Sequence, residues 1–283
     1  FGTGLVKTVE DFGSQGEWPL HPELLDWLAV EFVESGWDVQ AILKTMVMSA
    51  TYRQSANVSP ELLQRDPENR LLARGPRVRL APEVVRDQAL AVSGLLVDKV
   101  GGPSVKPYQP AGLWQELAGG SGYKQDSGEG LYRRSLYTYW RRTIAPPSMI
   151  NFDSPTRETC VVRESRTNTP LQALTMMNDT IFVEASRKFA ERILREGGAE
   201  PGERLTWAFR QVLARQPSAR ELKILSRTYE DFLKRYGQDH SGALEFTSVG
   251  DSPTHAGLDR RELAAYSAVA SLLLNLDETV TKQ

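Results

Sequence analysis

The chain has 283 residues, 40% of them hydrophobic and 25% charged, with a formal net charge of −2. That composition is ordinary for a globular protein and the length is ample for a sizeable core. The near-neutral balance gives no electrostatic case for nucleic acid or an anionic membrane surface. One cysteine, Cys160, excludes an internal disulfide, and three scattered histidines with no cysteine at ligand spacing exclude the zinc and haem motifs.

The first segment, Gly2 to Pro19, is glycine-rich and irregular. HPELLDWLAVEF then starts a helix with Pro22 at its first position, where a missing N–H is no loss. Leu24, Leu25, Leu28 and Phe32 share one face, and Gly36 ends the helix. Asp38 caps a second helix whose Val39, Ile42, Leu43, Met46, Val47 and Ala50 recur at the 3.6 period. A connection this short makes the two helices a hairpin. Ser59-Pro60-Glu61 is another helix start. After the basic stretch RGPRVRL, Pro82 opens a helix lined by Val85, Ala89, Val92 and Leu96, with Gly101-Gly102-Pro103 as its stop.

From there to about Gly130 the composition predicts a long surface excursion with at most a short helix near Trp114. LYRRSLYTYW, Leu131 to Trp140, is the strand candidate, with a buried aromatic helix segment as the competing reading. The aromatics around the excursion, Trp114, Tyr123, Tyr132, Tyr137, Tyr139 and Trp140, suit either stacking on sugar rings or a second core.

The last third is helical. Leu205, Ala208, Phe209 and Val212 form one stripe. Ser218-Ala219-Arg220-Glu221 is a capping box in front of Leu222, Leu225, Tyr229, Phe232, Leu233 and Tyr236. A linker from Gly237 to Gly257 precedes a final helix from about Leu258 to Leu276, with Leu263, Tyr266, Ala270, Leu273 and Leu274 on one side. The predicted fold is mainly α, a helical domain with a small β element (a central strand or hairpin) and long irregular loops. It forms one domain over 1–283 with a possible subdivision into 1–100 helical, 101–168 loop- and strand-rich, and 169–283 helical. No run approaches the ~18 apolar residues of a membrane span.

The functional question lies in the middle. Thr169-Pro170-Leu171-Gln172 fits a capping box, with Leu171, Leu174, Met177 and Ile181 as an apolar stripe behind it. Upstream, Asp153, Arg157, Glu158, Cys160, Arg163, Glu164 and Arg166 crowd into a short span. Guanidinium groups near a helix amino end suit carboxylate, sulfate or phosphate. Arg157, Arg163, Arg166 and Asn168 are therefore the candidate ligand-binding residues, with Asp153 and Cys160 in support. The competing reading is an internal salt-bridge network with Asp153, Glu158, Glu164 or Asp179. Cys160 is either a thiol activated by neighbouring arginines or a small buried hydrophobe. No metal site and no catalytic residue is assigned.

Three stretches carry a resemblance: FGTGLVKTVEDFGSQGEWPLHPELLDWLAVEF near the start, YRRSLYTYWRRTIAPPSMINFDSPTRETCVVRESRTNTPLQALTMMND in the middle, and AAYSAVASLLLNLDE near the end. In that order, over nearly the whole chain, they resemble planctomycete domain-of-unknown-function family 1553, the carboxyl-terminal domain of large cytochrome-c-linked exported proteins. The resemblance implies a fragment of a longer protein and a periplasmic or cell-envelope location. It implies partners in upstream cytochrome and uncharacterised domains of the same polypeptide, with haem c only upstream and no cofactor in this chain. It supplies no cofactor-binding residue to carry over. Two functions follow as expectations: an accessory domain binding an acidic or sulfated glycan or a redox partner, or a catalytic domain of an envelope oxidoreductase or polysaccharide-degrading enzyme coupled to that haem.

Overall fold

A computed structural model describes residues 1–118, 122–164 and 166–282. Part of the glycine-rich excursion, residues 119–121, and Ser165 of the central segment lie outside the described residues. The protein is mainly α with one two-stranded antiparallel β element, as the sequence predicts. No helix among the described residues is long and apolar enough to cross a membrane. The chain divides into two compact units. The first comprises Phe1–Arg79, Val161–Glu164 and Thr281–Gln283, the second Leu80–Cys160 and Ser165–Val280.

The first unit contains the expected helical hairpin, α1 (Pro22–Glu34) and α2 (Val39–Met48), which contact one another. Gly36, at φ +76°, sits in the turn where a side chain would be strained, and the Asp38 carboxylate accepts the Gln40 and Ala41 amides at 2.9 and 3.0 Å. The short helix α3 (Pro60–Arg65) is capped by Ser59. The small β element lies here rather than centrally: β1 (Val78–Arg79) pairs antiparallel with β2 (Thr281–Lys282).

Polar ties hold the loops of this unit. Asp66 accepts the amides of Arg70 and Leu71, both at 2.8 Å, His21 meets the Arg70 carbonyl at 2.9 Å, and Lys7 pairs with Glu68 at 2.8 Å. Among its described residues no Ala, Val, Ile, Leu, Met, Phe, Trp or Tyr is buried.

The second unit holds the core. Its helices are α4 (Pro82–Ser93), α5 (Leu113–Ala118), α6 (Pro147–Asn151), α7 (Pro170–Asn178), α8 (Thr180–Glu196), α9 (Pro201–Leu213), α10 (Ala219–Gln238), α11 (His240–Phe246), α12 (Arg260–Leu274) and α13 (Asp277–Val280). The long helix α8 packs on α12 and α4, and α12 packs on α10. Phe189, Ile193, Leu263, Tyr266, Val269 and Leu273 are fully buried between them. The stripes predicted for α9 and α12 face inward as read, and both halves of the Ser218–Glu221 capping box are formed.

Three expectations change. Helix α4 stops at Gly94, whose φ of +78° makes the left-handed cap, seven residues before the Gly-Gly-Pro expected to end it. Leu131 to Trp140 is not a strand. It follows one 3-10 turn, Gly128–Leu131, and forms a second, Ser135–Tyr137, with the isolated bridges Val97–Arg133 and Val105–Thr138 joining it to the rest. Buried arginines take the place of a partner strand. Arg86 donates to the carbonyls of Arg133 at 2.9 Å and Leu131 at 2.7 Å, and Arg133 donates to those of Lys99, Gly101 and Pro103. Third, the expected linker 237–257 contains α11 and a loop fastened to α8.

Candidate functional site

The central segment is built around Asp153, which adopts the left-handed conformation at φ +65° just after α6. Its carboxylate accepts the Thr167 amide at 2.6 Å, the Thr167 hydroxyl at 2.7 Å and the Gln172 side-chain amide at 3.4 Å. Thr169 caps α7 by accepting the Gln172 N–H at 3.4 Å, and Gln172 itself is buried. Asp153 thus supplies the chain's own anion beside the entrance of α7 and fixes the turn that leads into it.

Arg157 also has a left-handed backbone, at φ +64°. Its guanidinium lies over the Trp140 ring, 4.3 Å from the centroid, and 3.5 Å from the Glu83 carboxylate on α4. Cys160 is an exposed free thiol. Arg166 and Asn168 are exposed. Arg163 is exposed and falls within the first unit, whereas Arg157, Arg166 and Asn168 fall within the second. Of the acids weighed as internal partners, Glu158 stands 3.8 Å from Arg142, on the surface. Asp179 caps α8, and burial pushes its carboxyl above the ordinary range while Arg86 partly offsets the shift.

Arg157 belongs to an open groove of about 670 Å³ lined by Glu83, Val84, Asp87, Gln88, Ala91, Leu96, Arg134, Leu136 and Arg157, all in the second unit. The outer face of α4 forms its floor. Asp87 is held by the Ser135 amide at 2.8 Å and hydroxyl at 2.7 Å. Beneath it, burial holds the Arg86 guanidinium below its ordinary basicity, with Asp87 opposing that effect. Arg134 is exposed, and its guanidinium has no hydrogen-bond or ion-pair partner among the described residues. Leu136, 66% exposed, and Val84, 46% exposed, give the groove its apolar strip. The arrangement presents two guanidiniums, two carboxylates and an aliphatic floor to solvent.

Arg134 is not among the residues the sequence singles out, because its run reads there as either a strand or a buried aromatic helix segment. The signal was the Arg133-Arg134 pair: the first turns inward to carbonyls and stacks on Tyr137 at 3.9 Å, the second turns out. Three aromatics of the excursion, Trp114, Tyr123 and Tyr139, pack together. Trp114 is buried, 5.2 Å from Tyr123 and 6.1 Å from Tyr139 between ring centroids.

A buried polar cluster in the second unit went unread as well. Glu184, fully buried on α8, accepts the Tyr132 hydroxyl at 2.8 Å, the Tyr108 hydroxyl at 3.0 Å and the Ser252 amide at 2.7 Å. Burial pushes the Tyr108 phenol up to about 12 and the Tyr132 phenol up further, the latter aided by its bond to Glu184. Arg187 pairs with Glu191 at 2.8 Å and donates to the Ser252 carbonyl at 2.7 Å. Every carboxylate and guanidinium here has partners within the cluster, so it reads as a clasp between α8 and the loop at 247–257. Its trace in the sequence is EASRKFAE, with Glu184, Arg187 and Glu191 on one helical side.

Among the described residues no group of three or more His, Cys, Asp or Glu side chains is placed to hold a metal ion. A family model described as PSD1, protein of unknown function (DUF1553), matches residues 1–229. No curated protein and no solved structure matches the chain.

Proposed function

We propose, from the premise that this chain belongs to the PSD1 family of proteins of unknown function, that it is an accessory binding domain whose α4 groove takes an anionic glycan. The carrying observation is the groove itself: the Arg134 guanidinium, without a partner among the described residues, and Arg157, stacked on Trp140, flank an aliphatic strip. A guanidinium offers a planar fork that matches a carboxylate or sulfate. The strip suits the apolar face of a sugar ring, and Glu83 and Asp87 accept from its hydroxyls.

The wider setting is part of the same reading: an exported envelope protein, with haem c and redox partners in upstream domains of its polypeptide. The alternative, a catalytic domain of an envelope oxidoreductase or polysaccharide-degrading enzyme, draws less support. Asp153 is spent on Thr167 and Gln172, and Arg163 lies in the other unit.

Calorimetric titration with sulfated and uronic oligosaccharides, beside a neutral oligosaccharide of the same length, tests the reading. Binding of the acidic ligands only is expected. The double substitution Arg134→Ala/Arg157→Ala should weaken it about 100-fold or more, each lost charge-assisted bond contributing roughly 1.5–3 kcal/mol, with thermal unfolding unchanged. Equal binding of the neutral oligosaccharide, or none at all, sinks it.

A further inference from the structure

Helix α1 is amphipathic, yet one of its faces is left in solvent. Trp27, Val30 and Val33 are 50, 53 and 52% exposed. Glu23, Trp27, Val30 and Glu34 follow at helical spacing on that face, with Asp26 and Val33 at its edge. The three carboxylates are exposed and make no ion pair among the described residues. Over Pro22–Met48 the hairpin carries five carboxylates, Glu23, Asp26, Glu31, Glu34 and Asp38, against one cation, Lys44.

We propose that this face of α1 docks a basic amphipathic helix of a partner polypeptide. Aliphatic and tryptophan side chains interleaved with unpaired carboxylates ask for a surface that is apolar and cationic at the same spacing. Charge separates this occupant from two others. A second copy placed face to face would bring carboxylates against carboxylates, with Lys44 the lone cation of either hairpin. A bilayer would have to take Glu23, Asp26 and Glu34 into its interface, and anionic lipid would repel them. A helix bearing Lys or Arg beside Leu pairs the charges and covers Trp27, the residue type that most often anchors such contacts.

The test uses the full chain and a labelled peptide of about 18 residues, with leucines along one helical face and lysines flanking them. A twin carries glutamate in place of lysine. Fluorescence anisotropy should show the lysine peptide bound at least ~10-fold tighter than its twin. Glu23→Gln/Asp26→Asn/Glu34→Gln should weaken it by about tenfold, as should Trp27→Ala, with circular dichroism unaltered. The surface control Glu230→Gln/Asp231→Asn on α10 should leave binding as it was.

Equal affinity for both peptides, no affinity for either, or an equal loss in the control overturns the proposal. Sedimentation showing a dimer that Val30→Glu dissolves would assign the face to a second copy. Partition onto phosphatidylcholine–phosphatidylglycerol vesicles, abolished by the same substitution, would assign it to lipid. Both results count against the proposal, and neither bears on the α4 groove.

Discussion

The two units use apolar side chains in opposite ways. In the second, Phe189, Leu205, Leu263 and Leu273 are withdrawn from water between α8, α9 and α12. In the first, two helices with equally regular apolar spacing leave Val30, Val33, Val39 and Leu43 each more than half exposed. Periodicity makes a face; only a neighbouring surface makes it a core. The first unit is short of such surfaces and is tied instead by loop contacts such as Asp66 to Arg70 and Leu71. Stability should therefore reside in the second unit, and recognition by apolar contact is open to the first.

The sharpest way to break that contrast is a matched pair of truncations. Phe189→Ala in the second unit should cost about 3–5 kcal/mol in urea unfolding, for lost transfer energy and the cavity left behind. Leu43→Ala on α2, where the side chain is 53% exposed, should cost under ~0.5 kcal/mol. Equal losses would show that the first unit has a core of its own.

Somewhat smaller is the effect of opening the buried clasp. Among the described residues, Arg187→Met leaves Glu191 with Lys188 as its only ion-pair partner and the Ser252 carbonyl without its donor. A loss of about 3 kcal/mol is expected, read by the same unfolding curves. A neutral outcome would mean that the polar cluster adds nothing to the apolar core around it.

The smallest effect is electrostatic and lies at the surface of the second unit. Arg215 bonds Glu221, and with the Ser218 contacts it holds that carboxyl down to about 2 from a usual 4.5. Because the folded value is the lower one, the stabilisation is complete above 4.5 and fades as pH falls towards 2. The pair is well solvated, so the change should stay under ~1 kcal/mol. Melting curves for the native chain and Glu221→Gln should differ at pH 7 and converge in acid.

How much was legible follows from where each signal is stored. Caps are local: Asp38, Ser218 and Thr169 are read from three or four neighbouring residues, and each accepts the amide it was expected to accept. The stripes of α9 and α12 were also read correctly, since both are long and their apolar faces meet other helices. Helix α7 shows the limit. Leu171, Leu174 and Met177 look like a core stripe, yet they are about half exposed, while Met176 and Gln172 are the buried pair. Gln172 sits on the inner side, where its side-chain amide donates to Asp153, 19 residues back in the chain, and to Thr167.

The candidate site was legible only in part for the same reason. Arg157 reaches the groove because Glu83 and Trp140 meet it there. Arg134 was hidden in an aromatic run whose shape depends on guanidiniums at Arg86 and Arg133 rather than on alternation.

Glu184 has a consequence for timing. It receives the Ser252 amide deep inside the second unit, and Gly250 lies so close that any added Cβ would strike its carboxyl group. The Ser252 and His255 amides, bonded to Glu184 and Glu191, are therefore tied to α8 itself. These two amides should exchange with solvent on the slow clock of that helix, released only when it lets go.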